Sequence, residues 1–131
     1  ADNPCDRSGT PMKLVLLSTD LMTMSAAQGA ADRHGWPLKV VATSATAVAE
    51  CSGSPGVLLA VDLRATGLDV ASLVAELRAA QGAGPPTHVL AFGPHVHADS
   101  LAAAAAAGCD EVVTRGEFER RLNAALSRAS T

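Results

Sequence analysis

The sequence predicts an α/β domain in which five strands and five helices alternate and the strands form one open parallel sheet covered on both faces. Three observations carry that expectation. Short apolar runs recur along the chain: KLVLLS, LKVVATS, GVLLAVDL, THVLAFG and DEVVTR. Stretches with helical spacing of apolar residues separate them. The links between the two are short, and a parallel strand needs a crossover element to return the chain to the same edge. With 131 residues the chain can form one domain with a real core and is too short for two.

Residues 1–11, ADNPCDRSGTP, are polar, hold two prolines and a glycine, and show no periodicity. They read as a flexible leader, or as residues added ahead of a natural start at Met12, and 12–131 read as the single domain. The first strand is expected over 13–18, a continuous apolar run of the kind buried on both sides. A helix over 21–35 follows, with Leu21, Met24, Ala27 and Ala31 at helical spacing and Gly35 as its stop. The second strand spans 38–44. A short helix over 45–53 ends at Gly53 and Pro55. The third strand, 56–63, is the most apolar. After a turn at 65–67, residues 69–82 form an amphipathic helix with Asp69 as N-cap and Val70, Leu73, Val74 and Leu77 inward. The fourth strand covers 87–93. The fourth helix lies within 97–108, capped by Asp99 or Ser100. The fifth strand spans 110–115. The closing helix spans 117–129, with Phe118, Leu122, Ala125 and Leu126 inward. Five strands in this many residues favour the flavodoxin-like order 2-1-3-4-5, a three-layer (βα)5 sandwich, whose chemistry sits beyond the carboxyl ends of the strands. Those ends are Ser18, Thr19 and Asp20, then Asp62, Gly93 and Arg115.

Composition narrows the function classes. Aromatic residues are only 2% of the chain and much of its 48% hydrophobic content is alanine, so the core is built from Val, Leu and Ala at close backbone approach. The net charge of −3 is interspersed, which leaves no basic stripe for nucleic acid. No run approaches the roughly 20 apolar residues that cross a bilayer, and no signal-peptide core opens the chain. Cys5, Cys51 and Cys109 are widely spaced and show no ligand pattern, which fits a reduced, cytoplasmic protein with Cys109 as a small core residue. No phosphate loop, dinucleotide fingerprint or nucleophile elbow is present, and no histidine is placed to activate Ser18. The expectation is a protein that is not an enzyme.

Three stretches then carry a resemblance over roughly residues 12–129. KLVLLSTD, VLLAVDLRATGLD and AAAAGCDEVVTRGEF resemble, in turn, the acidic corner, the phosphoacceptor strand with its turn, and the lysine-bearing fifth strand of two-component response-regulator receiver (CheY-like) domains. The turn DLxxxGxD and the interval from Gly108 to Arg115 support it. The resemblance implies a signalling domain in which an acidic pair and an aspartate hold Mg²⁺ and the aspartate takes a phosphoryl group, read by a Ser or Thr and a Lys. A divalent ion of this kind wants hard oxygen ligands, and phosphoryl transfer wants cations against its oxygens. Asp62 falls at the phosphoacceptor position. The acidic pair falls on Ser18 and Thr19, with Asp20 one residue beyond; the hydroxyl position is Gly93; the lysine is Arg115, followed by Gly116 in place of proline; and the turn proline is Thr66.

The resemblance is therefore to a degenerate, pseudo-receiver form. It implies action through protein–protein contact without Mg²⁺-dependent phosphoryl transfer and with no cofactor. The implied partner face, for another protein or a second copy, is the fourth helix, fifth strand and fifth helix: Ala102, Ala106, Arg115, Glu117, Arg120 and Arg121. The bland reading of those charges is a solvated face with local pairs. A second reading keeps Asp62 phosphorylatable, with Mg²⁺ as cofactor and Arg115 as charge sensor. A third is a small-ligand or metal-binding module at the strand ends, using His95 and His97, for which no fourth zinc ligand is evident. An ion pair between Asp62 and Arg115, or a weak metal site shared by Asp20 and Asp62, is expected under one or another of these.

Overall fold

The computed structural model describes residues 13–52, 57–65, 68–81, 87–94 and 98–130. The leader, the stop at Gly53 and Pro55, Thr66 with Gly67, and His95 with His97 lie outside the described residues. The elements run β1 (Lys13–Leu17), α1 (Leu21–His34), β2 (Leu38–Val41), α2 (Ser44–Ser52), β3 (Val57–Asp62), α3 (Val70–Gln81), β4 (His88–Gly93), α4 (Ala98–Ala107), β5 (Glu111–Thr114) and α5 (Arg115–Ser130). All pairings are parallel and the sheet order is β2-β1-β3-β4-β5, as expected.

The two faces of the sheet follow residue parity, because successive strand side chains point to opposite sides. Leu14, Leu16, Leu58, Ala60, Leu90 and Phe92 share one core with α1 and α5. Val15, Leu17, Leu59, Val61, Val89 and Ala91 share the other with α2, α3 and α4. Both sides are covered, so the strands read as unbroken apolar runs. The α1/α5 side holds the larger rings: Phe92 stacks on Phe118 with centroids 3.8 Å apart, and Trp36 closes the layer. Fully burying side chains such as Leu73, Leu77 or Leu122 contributes about 1.5–3 kcal/mol each.

Several local expectations are corrected. In α1 the buried positions are Thr23, Ala27, Ala30 and Ala31, while Leu21 is 78% exposed. Asp20 caps the helix, which makes Leu21 its first residue and points it away from the sheet. Helix α4 starts at Ala98, so Asp99 is in its first turn rather than at its cap. Helix α5 starts two residues early, at Arg115, where Glu117 Oε1 accepts from the Thr114 N–H and hydroxyl. This is a capping-box spacing, Thr-x-x-Glu, hidden in TRGEF. Cys109 is only partly buried against the α2–α4 core, and burial pushes its thiol up. Asp69 does cap α3, with its Oδ1 accepting from the Ser72 N–H at 3.2 Å.

Candidate functional site at the strand ends

The β1–β3 register pairs Leu17 with Val61, so the next residues, Ser18 and Asp62, meet at the carboxyl end of the sheet. Both are buried. The Ser18 hydroxyl donates to Asp62 Oδ2 at 2.8 Å. The Arg64 N–H donates to Asp62 Oδ1 at 3.0 Å, and the Ala65 N–H to the Asp62 carbonyl at 3.0 Å. The aspartate thereby organises its own turn, the usual local use of this side chain. Ser18 Oγ also accepts from the Asp20 N–H at 3.1 Å, which ties the β1 corner to the same network.

Asp20 is the second carboxylate of the corner. Its Oδ2 accepts from the Thr23 N–H at 2.9 Å, from the Thr23 hydroxyl at 2.7 Å and from Arg115 Nη2 at 2.6 Å. The Thr23 hydroxyl, then Arg115, then the Thr23 N–H hold its carboxyl down at about 2. The expected Asp62–Arg115 pair is thus replaced by an Asp20–Arg115 pair. Asp20 lies on the α1 cap, within reach of the first residue of α5, while Asp62 sits deeper under Ser18. Thr19 is exposed.

The fourth strand end is apolar. Gly93 is buried, and a Cβ placed on it would meet Leu63 Cβ at 3.4 Å and Leu101 Cδ2 at 3.7 Å. Gly116 sits in the first turn of α5. The acidic and cationic side chains that converge at the strand ends are therefore Asp20, Asp62 and Arg115. Every one of them is engaged, and among the described residues no group of three or more His, Cys, Asp or Glu side chains could hold a metal ion. Mg²⁺ favours near-octahedral oxygen coordination. A donor set in which a hydroxyl points its proton at one carboxylate and a guanidinium sits on the other fits that ion poorly.

Ala102 and Ala106 are exposed, and Ala104 turns inward. A cleft between β5 and α5 is lined by Glu111, Val112, Val113, Glu117, Arg120 and Arg121. Its charges pair with one another: Arg120 Nη2 lies 3.7 Å from Glu117, and Arg121 binds Glu111. Sequence reading kept Arg121 on its own helix and gave His88 no role. The structure joins both to Glu111, with His88 Nε2 2.8 Å from Glu111 Oε2. Burial pushes the Glu111 carboxyl up, and the bonds from His88 and Arg121 outweigh it, leaving the group below its ordinary value. Only the strand register, which sets His88 beside β5, could have exposed this cluster. The other surface feature that sequence reading missed is on α1, where Leu21 and Met22 stand exposed at the head of a groove completed by Ser25, Ala26, Gly29, Arg33 and Glu119.

No protein-family model matches the chain, and neither does any curated protein sequence. Solved structures do resemble it. The receiver domain of a sensor histidine kinase from Pseudomonas aeruginosa PAO1, solved with a magnesium ion coordinated in its active-site cleft, is 18% identical at a TM-score of 0.75, over 92% of this chain and 98% of that one. A CheY-like protein of the same organism is 19% identical at a TM-score of 0.70, covering 90% and 98%. A chemotaxis response regulator of Vibrio cholerae is 12% identical at a TM-score of 0.69, covering 92% and 99%.

Proposed function

We propose, from the response-regulator receiver fold that this chain has, that it is a degenerate receiver: a cytoplasmic signalling domain that works by binding protein and not by Mg²⁺-dependent phosphoryl transfer. One observation carries the reading. Asp62, at the phosphoacceptor position, has both carboxylate oxygens taken by donors of its own chain, Ser18 and Arg64. A nucleophilic carboxylate needs a free oxygen facing its donor, and a cation beside it to hold the incoming oxygens. The other carboxylate of the corner, Asp20, commits its Oδ2 to its helix cap and to Arg115.

The output is then conformational or stoichiometric. The α4/β5/α5 face supports contact with a partner protein or a second copy through Ala102, Ala106, Arg115, Glu117, Arg120 and Arg121. No helix among the described residues is long and apolar enough to cross a membrane.

Incubation with Mg²⁺ and acetyl phosphate, followed by intact-protein mass measurement, tests this. The expected mass is unchanged. A phosphoryl increment that vanishes in Asp62→Ala would establish the phosphorylatable reading in its place.

A further inference from the structure

We propose that Arg115 is the resident cation of the strand-end pocket, binding Asp20 so as to clasp the start of α5 to the start of α1 with no metal ion required. The inference rests on reading the pocket as metal-independent, and it adds what holds the pocket together instead.

The placement of Arg115 is the first argument. It is the opening residue of α5, and a cation there sits at the positive end of its own helix dipole, where it is disfavoured. A charge kept at such a position needs an anchor elsewhere. The anchor is Asp20, 95 positions away in sequence, at 2.6 Å. Asp20 is the N-cap of α1, the end of a helix at which a carboxylate is favoured. One carboxylate oxygen thus serves the α1 cap and the α5 cation together.

The guanidinium is also drawn inward. Its Nη1 is buried and has no hydrogen-bond partner, a cost that a freely solvated surface arginine would not carry. The pair is half-buried, with the Arg115 side chain 34% and the Asp20 side chain 35% exposed. Helices α1 and α5 share one core below it, through Ala27, Ala30 and Ala31 against Leu122 and Leu126. At the far end, Arg33 Nε and Nη2 both donate to Asn123 Oδ1 at 3.2 Å. The two helices are thus joined at the strand end by the Asp20–Arg115 contact and again where the last turn of α1 meets the middle of α5.

The experiment compares the wild type, Asp20→Asn, Arg115→Gln and the double variant. Asparagine retains capping ability, so Asp20→Asn removes the charge and spares the cap. Thermal unfolding is followed with and without millimolar MgCl₂ at constant ionic strength, and amide exchange is followed at the first turns of α1 and α5. The expected wild-type midpoint does not move with Mg²⁺. Each single variant falls by a few degrees and exchanges faster at both helix starts, and the double variant falls no further than the worse single. Additive single losses, faster exchange confined to the mutated helix, or a wild-type midpoint that rises with Mg²⁺ each overturn the proposal. If Arg115→Gln does not fold, Arg115→Lys replaces it; an intermediate midpoint insensitive to Mg²⁺ supports the clasp, and a midpoint no different from wild type overturns the need for the guanidinium. Phosphorylation by acetyl phosphate would sink the proposed function without touching the coupling. Absent coupling with no phosphorylation would sink only the clasp.

Discussion

Ser18 and Asp62 are neighbours because β1 lies beside β3 in the register that pairs Leu17 with Val61. Removing the hydroxyl leaves a buried carboxylate oxygen without its donor, which costs about 1–3 kcal/mol. Ser18→Ala is expected to lose that much in urea unfolding, and Ser18→Ala combined with Asp62→Ala to lose less than the sum, since the two share one bond. Asp20 gives a pH signature of its own. Its carboxyl falls from an ordinary 3.8 to about 2 in the folded protein, so the unfolded chain binds the proton more readily. Its contribution to stability is then complete above the unfolded value and is lost as pH falls from there through about 2. The stability gap between wild type and Asp20→Asn is expected to be constant near neutrality and to close below pH 3.8, read from unfolding midpoints across an acid series. These residues were visible in the sequence as strand-end groups, but their pairing was not. Spacing places Asp20, Asp62 and Arg115 at one rim and says nothing about depth, and depth decides that the guanidinium reaches Asp20. The Asp-x-x-Thr spacing of Asp20 and Thr23 is itself a legible cap signal.

At the scale of elements, the caps repeat one device. Asp20, Thr43 and Asp69 each accept a hydrogen bond from the N–H three residues on, at the starts of α1, α2 and α3. Asp69→Ala is expected to cost about 1 kcal/mol in urea unfolding, with faster amide exchange confined to the first turn of α3. That cap and the inward stripe of α3 were readable because Leu73, Val74 and Leu77 give the helix a strong apolar face. In helix α1 the inward places of Met24, Ala27 and Ala31 hold, but Leu21 points outward with Met22, and Thr23 and Ala30 take buried positions that apolar size does not signal. Hydrophobic periodicity weighs size, and close packing against α5 rewards its absence. All five strands were legible as apolar runs, and each was bounded in sequence within a few residues of its place. Which parity faces which helices was not, since continuous apolar strands carry no alternation to read.

For the molecule as a whole, the proposed protein contact has two candidate surfaces. One is the α4/β5/α5 face, with exposed Ala102 and Ala106 beside a cleft whose charges are mutually paired. The other is the α1 groove headed by Leu21 and Met22. Exposed apolar area alone favours the second, because single exposed hydrophobics are ordinary but an adjacent pair beside small residues begins a patch. The first offers a helix of small exposed residues, an edge strand with half-buried valines, and charges paired along α5 and to Glu111. The α4/β5/α5 face is the one expected to govern association. Ala106 faces solvent, so Ala106→Arg changes the fold's stability little, within the roughly 0.5 kcal/mol usual for exposed substitutions. Sedimentation velocity over a concentration series is expected to show wild-type self-association that Ala106→Arg abolishes and Met22→Ser leaves intact, with the unfolding midpoints of all three alike. Loss of association in Met22→Ser but not in Ala106→Arg would move the contact to α1. A wild type that stays monomeric throughout the series would remove self-association and leave a different protein as the occupant of that face.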